Sequence, residues 1–147
     1  MDNPPLRLLA ASQSLTEQAP QWVLKVAGRE MWLAAHSGER GVLLHVPDMN
    51  VRAHFDLRSA QQMQTLMGRP LPSWARPAAA ALLALSEQNI ALAPTVLVVV
   101  GDEPAGPRYE HALGMSLLMY ALSQAGQEPQ ATELLSWMER AQKLLSK

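Results

Sequence analysis

Carboxylate, guanidinium and imidazole groups crowd into one short stretch: Asp102, Glu103, Arg108 and His111, with Glu110 among them. Glu103, Arg108, Glu110 and His111 could supply an acid–base set, because a carboxyl and an imidazole are the groups that exchange protons near neutral pH. The stretch follows a β-branched run, Thr95–Val100, which places it at the C-terminal end of a buried strand, where open sheets often bind ligands. The unit Val96–Tyr109 also has the strand–loop–helix outline of a phosphate-binding turn. Asp102 and Glu103 oppose that use, since they would repel a phosphate unless a divalent cation intervened. The plainer reading is a polar loop whose acids favour the dipole of the helix that follows.

A second set is Lys25, Trp32, His45, Arg52 and His54. On the strands described below, Lys25 is expected opposite Trp32, Trp32 opposite His45, and His45 opposite Arg52, with His54 diagonal to His45. A cation over a Trp ring contributes about 0.5–1 kcal/mol when exposed. A Trp flanked by cations and imidazoles on an open sheet is a recognition platform for an anionic or extended peptide. The plainer reading is a solvated sheet face with Trp32 shielded by the N-terminal helix. His36, His45 and His54 do not read as a metal set. His45 and His54 are diagonal, roughly 7–8 Å apart, and lack a neighbouring carboxylate, whereas structural zinc takes four close ligands. The sequence therefore implies neither metal nor cofactor. It also contains no nucleophile elbow, paired-His protease motif or Walker sequence, so catalysis has no positive support.

The elements that must position these residues begin with four segments: Trp22–Ala27, Glu30–His36, Gly41–Val46 and Val51–Asp56. Gly28-Arg29 is a two-residue turn of the type that needs Gly first. Ser37–Arg40 and Pro47–Asn50 are four-residue turns. Together they predict an antiparallel meander with Val26 opposite Met31, Leu33 opposite Leu44, and Val46 opposite Val51. Side chains alternate along a strand, so this register separates two faces. One carries Trp22, Leu24, Val26, Met31, Leu33, Ala35, Val42, Leu44, Val46, Val51, Ala53 and Phe55, with no charge. The other carries the Trp, His and Arg residues of the platform.

Around the meander, Leu6–Thr16 predicts an opening helix and Leu57–Met67 a short one stopped by Gly68. Ser73 begins a third, alanine-rich helix. Thr95–Val100 reads as a covered strand beside the meander. Arg108–Ala125 and the segment after Pro129 form a C-terminal helical hairpin, with Trp137 and Leu144 beside the last helix's stripe. The fold class is therefore α+β: a meander of about four strands plus one further strand. Helices are expected on one face of it, in a single domain over residues 1–147.

A hydrophobic content of 48% with 17% charged residues fits an ordinary folded chain that buries roughly two-thirds of its unfolded surface. Net charge is −1 and the 12 basic residues are scattered, which argues against nucleic acid. The absence of cysteine removes disulfides and thiol chemistry. No leader-like or membrane-spanning stretch is read, so a cytoplasmic location without membrane contact is expected. The expected function is a non-enzymatic interaction module: a small chaperone or adaptor holding a protein or peptide partner, able to form a homodimer. Eight methionines suit such a surface, because Met adapts to varied apolar partners. Two alternatives stand beside it. One is a small-molecule or metal-assisted enzyme with its site at Asp102, Glu103, Arg108 and His111. The other is a subunit of a larger assembly, docking through Trp137 and Leu144.

Overall fold

Two hairpins form where their turn residues place them. The structure, a computed structural model, describes residues 3–145. Strands β1 (Trp22–Lys25) and β2 (Met31–Ser37) pair antiparallel with Lys25 opposite Trp32. The Val26 amide donates to the Met31 carbonyl at 2.9 Å, as the register requires. The Arg29 amide, however, donates to the Val26 carbonyl at 3.1 Å, so Gly28, at a φ of +78°, is the third residue of a turn over residues 26–29 rather than the first of a two-residue turn. Strands β3 (Val42–Val46) and β4 (Val51–Phe55) pair with Val46 opposite Val51, through a single 3-10 turn at Pro47–Met49.

The two hairpins do not pair with each other. Strand β5 (Thr95–Gly101) lies between them, antiparallel to β2 with Val99 opposite Leu33, and parallel to β3 with Leu97 opposite Leu44. The sheet order is β1-β2-β5-β3-β4, so the expected pairing of Leu33 with Leu44 is corrected and β5 is a central strand. The reason is visible in β5 itself. A β-branched run that is apolar on both faces hides its backbone best with a neighbour on each edge. Residues 38–41 need only bridge one strand's width on each side, about 10 Å, which four residues can span. They do so across the foot of β5, where the Gly38 amide donates to Pro94 and the Thr95 amide to Gly41, each at 2.9 Å.

Inserting a strand leaves the side chains of the strands on their predicted faces, while Ala27, expected outside, packs in the turn against the main core. Val26, Met31, Leu33, Ala35, Val42, Leu44, Val46, Ala53 and Phe55 are buried in the main core, with Trp22, Leu24 and Val51 packed at its margin. Three helices, α2 (Leu57–Gln61), α3 (Arg76–Glu87) and α4 (Pro107–Gln124), build most of the rest of that core, and Leu134 and Met138 of the last helix join it. Helix α2 is shorter than the predicted Leu57–Met67. Met63 adopts a left-handed φ of +52° and the chain folds back, so that the Leu71 amide donates to the Met63 carbonyl at 2.9 Å. Asp56 caps α2 by accepting from the Ser59 amide at 2.8 Å.

Helix α4 is buried through most of its length. Gly114 permits this, since a Cβ there would stand 3.1 Å from the Pro77 carbonyl of α3 and 2.6 Å from Met138 Cε. Met138 belongs to the last helix, α5 (Ala131–Leu145), which packs on α3 and α4 as the predicted hairpin. Trp137 and Leu144, each half-buried, pack against Ala80, Ala84 and Ala141. The small alanines of α3 leave room for both large side chains.

Helix α1 (Leu6–Thr16) lies on the opposite face of the sheet, where Leu8, Ala11 and Leu15 cover Val23, Trp32, Ala34, Val96, Val98 and Val100. Helices thus occupy both faces rather than one. The molecule is, among the described residues, α+β with a five-stranded mixed sheet and five α-helices. Among the described residues, no helix is long and apolar enough to cross a membrane.

Candidate functional site

The loop after β5 splits its ionisable residues between two clusters. Arg29, brought in by the β1–β2 turn, donates from Nη1 to Glu103 Oε1 at 3.1 Å, and Arg108 Nε donates to the same oxygen at 3.1 Å. Arg29 also approaches His111 Nδ1 at 3.5 Å from Nη2 and Met115 Sδ at 3.5 Å from Nε. Because a guanidinium only donates, His111 Nδ1 faces Arg29 as the acceptor in this contact. Burial, followed by the Arg29 charge, pushes the His111 pKa down. The Arg29 and Glu103 side chains are each only 12% exposed, and Glu103 Oε2 is buried without a hydrogen-bond partner. A cavity of about 440 Å³ adjoins them, lined by Gly28, Arg29, Arg108, Met115, Ala131 and Leu135. Glu103 and Arg108 are thus in direct contact, and His111 is linked to them through Arg29.

Asp102 is not part of that group. It is 71% exposed and accepts from Arg7 Nη2 of α1 at 3.0 Å. Arg7 Nε also donates to Asp48 Oδ1 at 3.1 Å, and Asp48 Oδ2 accepts from the Gly101 amide at 2.8 Å and the Tyr109 hydroxyl at 3.0 Å. Burial, then the Asp48 carboxylate, raises the Tyr109 pKa above the usual phenol range. This second cluster ties α1, the 47–49 turn, the end of β5 and the start of α4 into one joint. Arg7, Arg29, Asp48 and Tyr109 were not among the residues singled out by sequence. Their partners are 41 to 95 residues away, and spacing alone carries no signal of them.

The other predicted set is divided by β5. Lys25 does stand opposite Trp32, and His45 opposite Arg52, but Trp32 pairs with Val100 and His45 with Val98. The expected Trp32–His45 neighbour pair is thus corrected by the inserted strand. Trp32 belongs to the small core under α1, so its ring is largely committed to packing. Lys25 lies 3.8 Å from Glu30.

His36 is buried under the same helix, held by the Ser12 hydroxyl at Nε2 and the Thr16 hydroxyl at Nδ1, the latter at 3.3 Å. Its pKa is lowered by burial. His36 is therefore a pin for α1. The remaining half of the row, on β3 and β4, is open: Arg52 is exposed and Leu43, His45 and His54 are half-buried. His54 Nε2 donates to the Arg40 carbonyl at 2.6 Å, and His45 Nδ1 has no hydrogen-bond partner. Burial, then the Arg52 charge, lowers the His45 pKa. Among the described residues, no three His, Asp or Glu side chains are grouped as a metal ion would require.

No protein-family profile matches the chain, and no curated protein matches it by sequence. Among solved structures, a crystal structure of mevalonate kinase is similar at a TM-score of 0.59 and 12% identity, over 79% of this chain and 37% of that one. The chain thus spans little more than a third of that protein, and the likeness is one of fold.

Proposed function

We propose that the chain is a non-enzymatic interaction module that holds a partner polypeptide on the outer face of β3 and β4. One observation carries the reading. Helix α1 covers the β2–β5 part of that face with an apolar seam, while Leu43, His45, Arg52 and His54 remain beside an edge strand. The backbone edge of β4 is bonded at the His54 carbonyl by the Leu66 amide, so what stays uncovered is the side-chain face of β3 and β4 beside that edge. A chaperone or adaptor role, a cytoplasmic setting and self-association as a homodimer belong to the same proposal. The test places a photo-crosslinking side chain at position 52 and, for comparison, at exposed position 139 on α5, with light scattering on the purified chain. The reading expects one discrete adduct from position 52, either to a second polypeptide or to another copy, and none from 139. A strict monomer giving no adduct at 52 would count against it.

The Glu103 cluster favours a second reading, a small-molecule site of enzymatic kind at Arg29, Glu103, Arg108 and His111. A buried carboxylate oxygen without a partner, on a side chain held by Arg29 and Arg108, which themselves line a cavity, and linked through Arg29 to an imidazole, is what favours such a site. A fragment screen by NMR separates the two. Ligands that shift His111 and the Met115 methyl would favour the enzyme reading, and shifts confined to β3 and β4 would not.

A further inference from the structure

The open side of β4 carries a concentration of arginine that the scattered sequence positions conceal. Arg52 projects from β4 itself. The Arg40 carbonyl is bonded by His54, and the His54 carbonyl accepts from the Leu66 amide at 3.0 Å, which draws the turns on either side up to the strand. Arg40 and Arg58 then line a recess of about 250 Å³ with Gln62, Gln64 and Leu66, and Asp56 and Ser59 complete its wall. Arg69 closes the adjacent turn, where its carbonyl accepts from the Thr65 amide at 2.8 Å. Among the described residues, no carboxylate is paired with Arg52, Arg58 or Arg69. Asp56 is the acid in the recess, and it is committed to capping α2 and to Arg40 at 3.5 Å. Glu39 is the other acid in the neighbouring turn. Four arginines against two acids leave this region positive on a chain whose net charge is −1.

Apolar surface is interleaved with the charge. Met67 is 85% exposed at the tip of the 65–69 turn, with Leu66 half-buried beside it and Leu43 on β3. We infer that the partner of this face is an acidic polypeptide segment, with carboxylates received by the Arg40–Arg58 recess, Arg52 and Arg69, and an apolar side chain set against Leu66 and Met67. The inference rests on the interaction reading above and names the chemistry of its partner. Guanidinium groups suit it because their forked N–H donors match a carboxylate in two places at once. The mixture of apolar and cationic surface favours polypeptide over nucleic acid, whose backbone asks for a longer, purely basic track.

The experiment uses the full chain and short fluorescein-labelled peptides in which Leu alternates with Glu, Gln or Lys, together with a single-stranded DNA oligomer. Fluorescence anisotropy should show the Glu peptide binding about tenfold more tightly than the Gln peptide, with affinity falling as salt rises. R58Q/R69Q should lose that preference while its urea melt stays that of the parent chain. Because both side chains are exposed, failure to fold is not the expected cause of a loss. Equal binding of the Glu and Gln peptides, insensitive to salt, would overturn the acidic partner while leaving an interaction module standing. Tighter binding of the oligomer than of the Glu peptide would replace polypeptide by nucleic acid. Binding of no peptide, together with no adduct from position 52, would remove both readings.

Discussion

Single side chains in this molecule show how burial decides what an ionisable group does. His36, His45 and His111 each have a pKa lowered chiefly by burial. In the unfolded chain such a ring protonates below about pH 6.5. The folded state resists that proton to a lower pH, so the unfolded state binds more protons in the window below 6.5 and stability drains away as pH falls. Urea melts between neutrality and mild acid should therefore show a falling midpoint, and H36Q should flatten part of that slope while keeping a partner for Ser12. A midpoint independent of pH would mean that these rings are neither buried nor uncharged. Glu103 poses the opposite case. Removing its charge leaves Arg29, 12% exposed, facing Arg108 without a counter-ion. E103Q should lose about 3 kcal/mol in denaturant melts, the usual cost of breaking a buried pair. D102N, at a site 71% exposed, should lose less than about 1 kcal/mol. Equal losses from both would deny Glu103 its central place.

Secondary-structure elements were legible wherever one residue type fixed the local geometry. The Gly28 turn and the Pro47–Asn50 turn set both hairpin registers, and Gly126 stopped α4 within one or two residues of its predicted end. Illegible was the place of β5. The face each residue occupies is the same whether Leu33 meets Leu44 directly or across Leu97 and Val99, so alternation cannot tell the two sheets apart. The same insertion hid half of the candidate platform. Helix α2 was overextended because Met63 and Met67 keep helical spacing although the backbone turns at Met63.

Glycines at the joints test the packing of these elements directly. Gly41 has a φ of +60°, and a Cβ there would lie 2.4 Å from the Phe55 carbonyl. G41A should cost about 2 kcal/mol or more, because strain and clash combine. Gly68 has a φ of +80° but nothing within 4 Å of such a Cβ, so G68A should cost only about 1 kcal/mol. Chemical denaturation of the two variants checks the order, and a reversal would mean that the β2–β3 bridge is not closely packed.

For the molecule as a whole, β5 is the strand that, among the described residues, joins one hairpin to the other within the sheet. The two candidate surfaces also lie on its separate flanks. Glu103 is reached from the β1–β2 turn and Arg52 from the β3–β4 edge, so their effects on binding should add rather than couple. The acidic-segment proposal belongs at this scale too, since its arginines come from two turns, helix α2 and a strand that only the complete sheet assembles.

That dependence has a temporal side. A ribosome delivers residues 22–55 well before residues 95–101, so each ribbon of strands leaves the exit tunnel with one margin waiting for a neighbour not yet made. A nascent chain halted at Ala93 should stay protease-sensitive and aggregate, whereas one extended beyond α4 should resist digestion, as pulse-labelled, stalled chains can show. For this protein, synthesis of the last third is the event that makes the first third a structure.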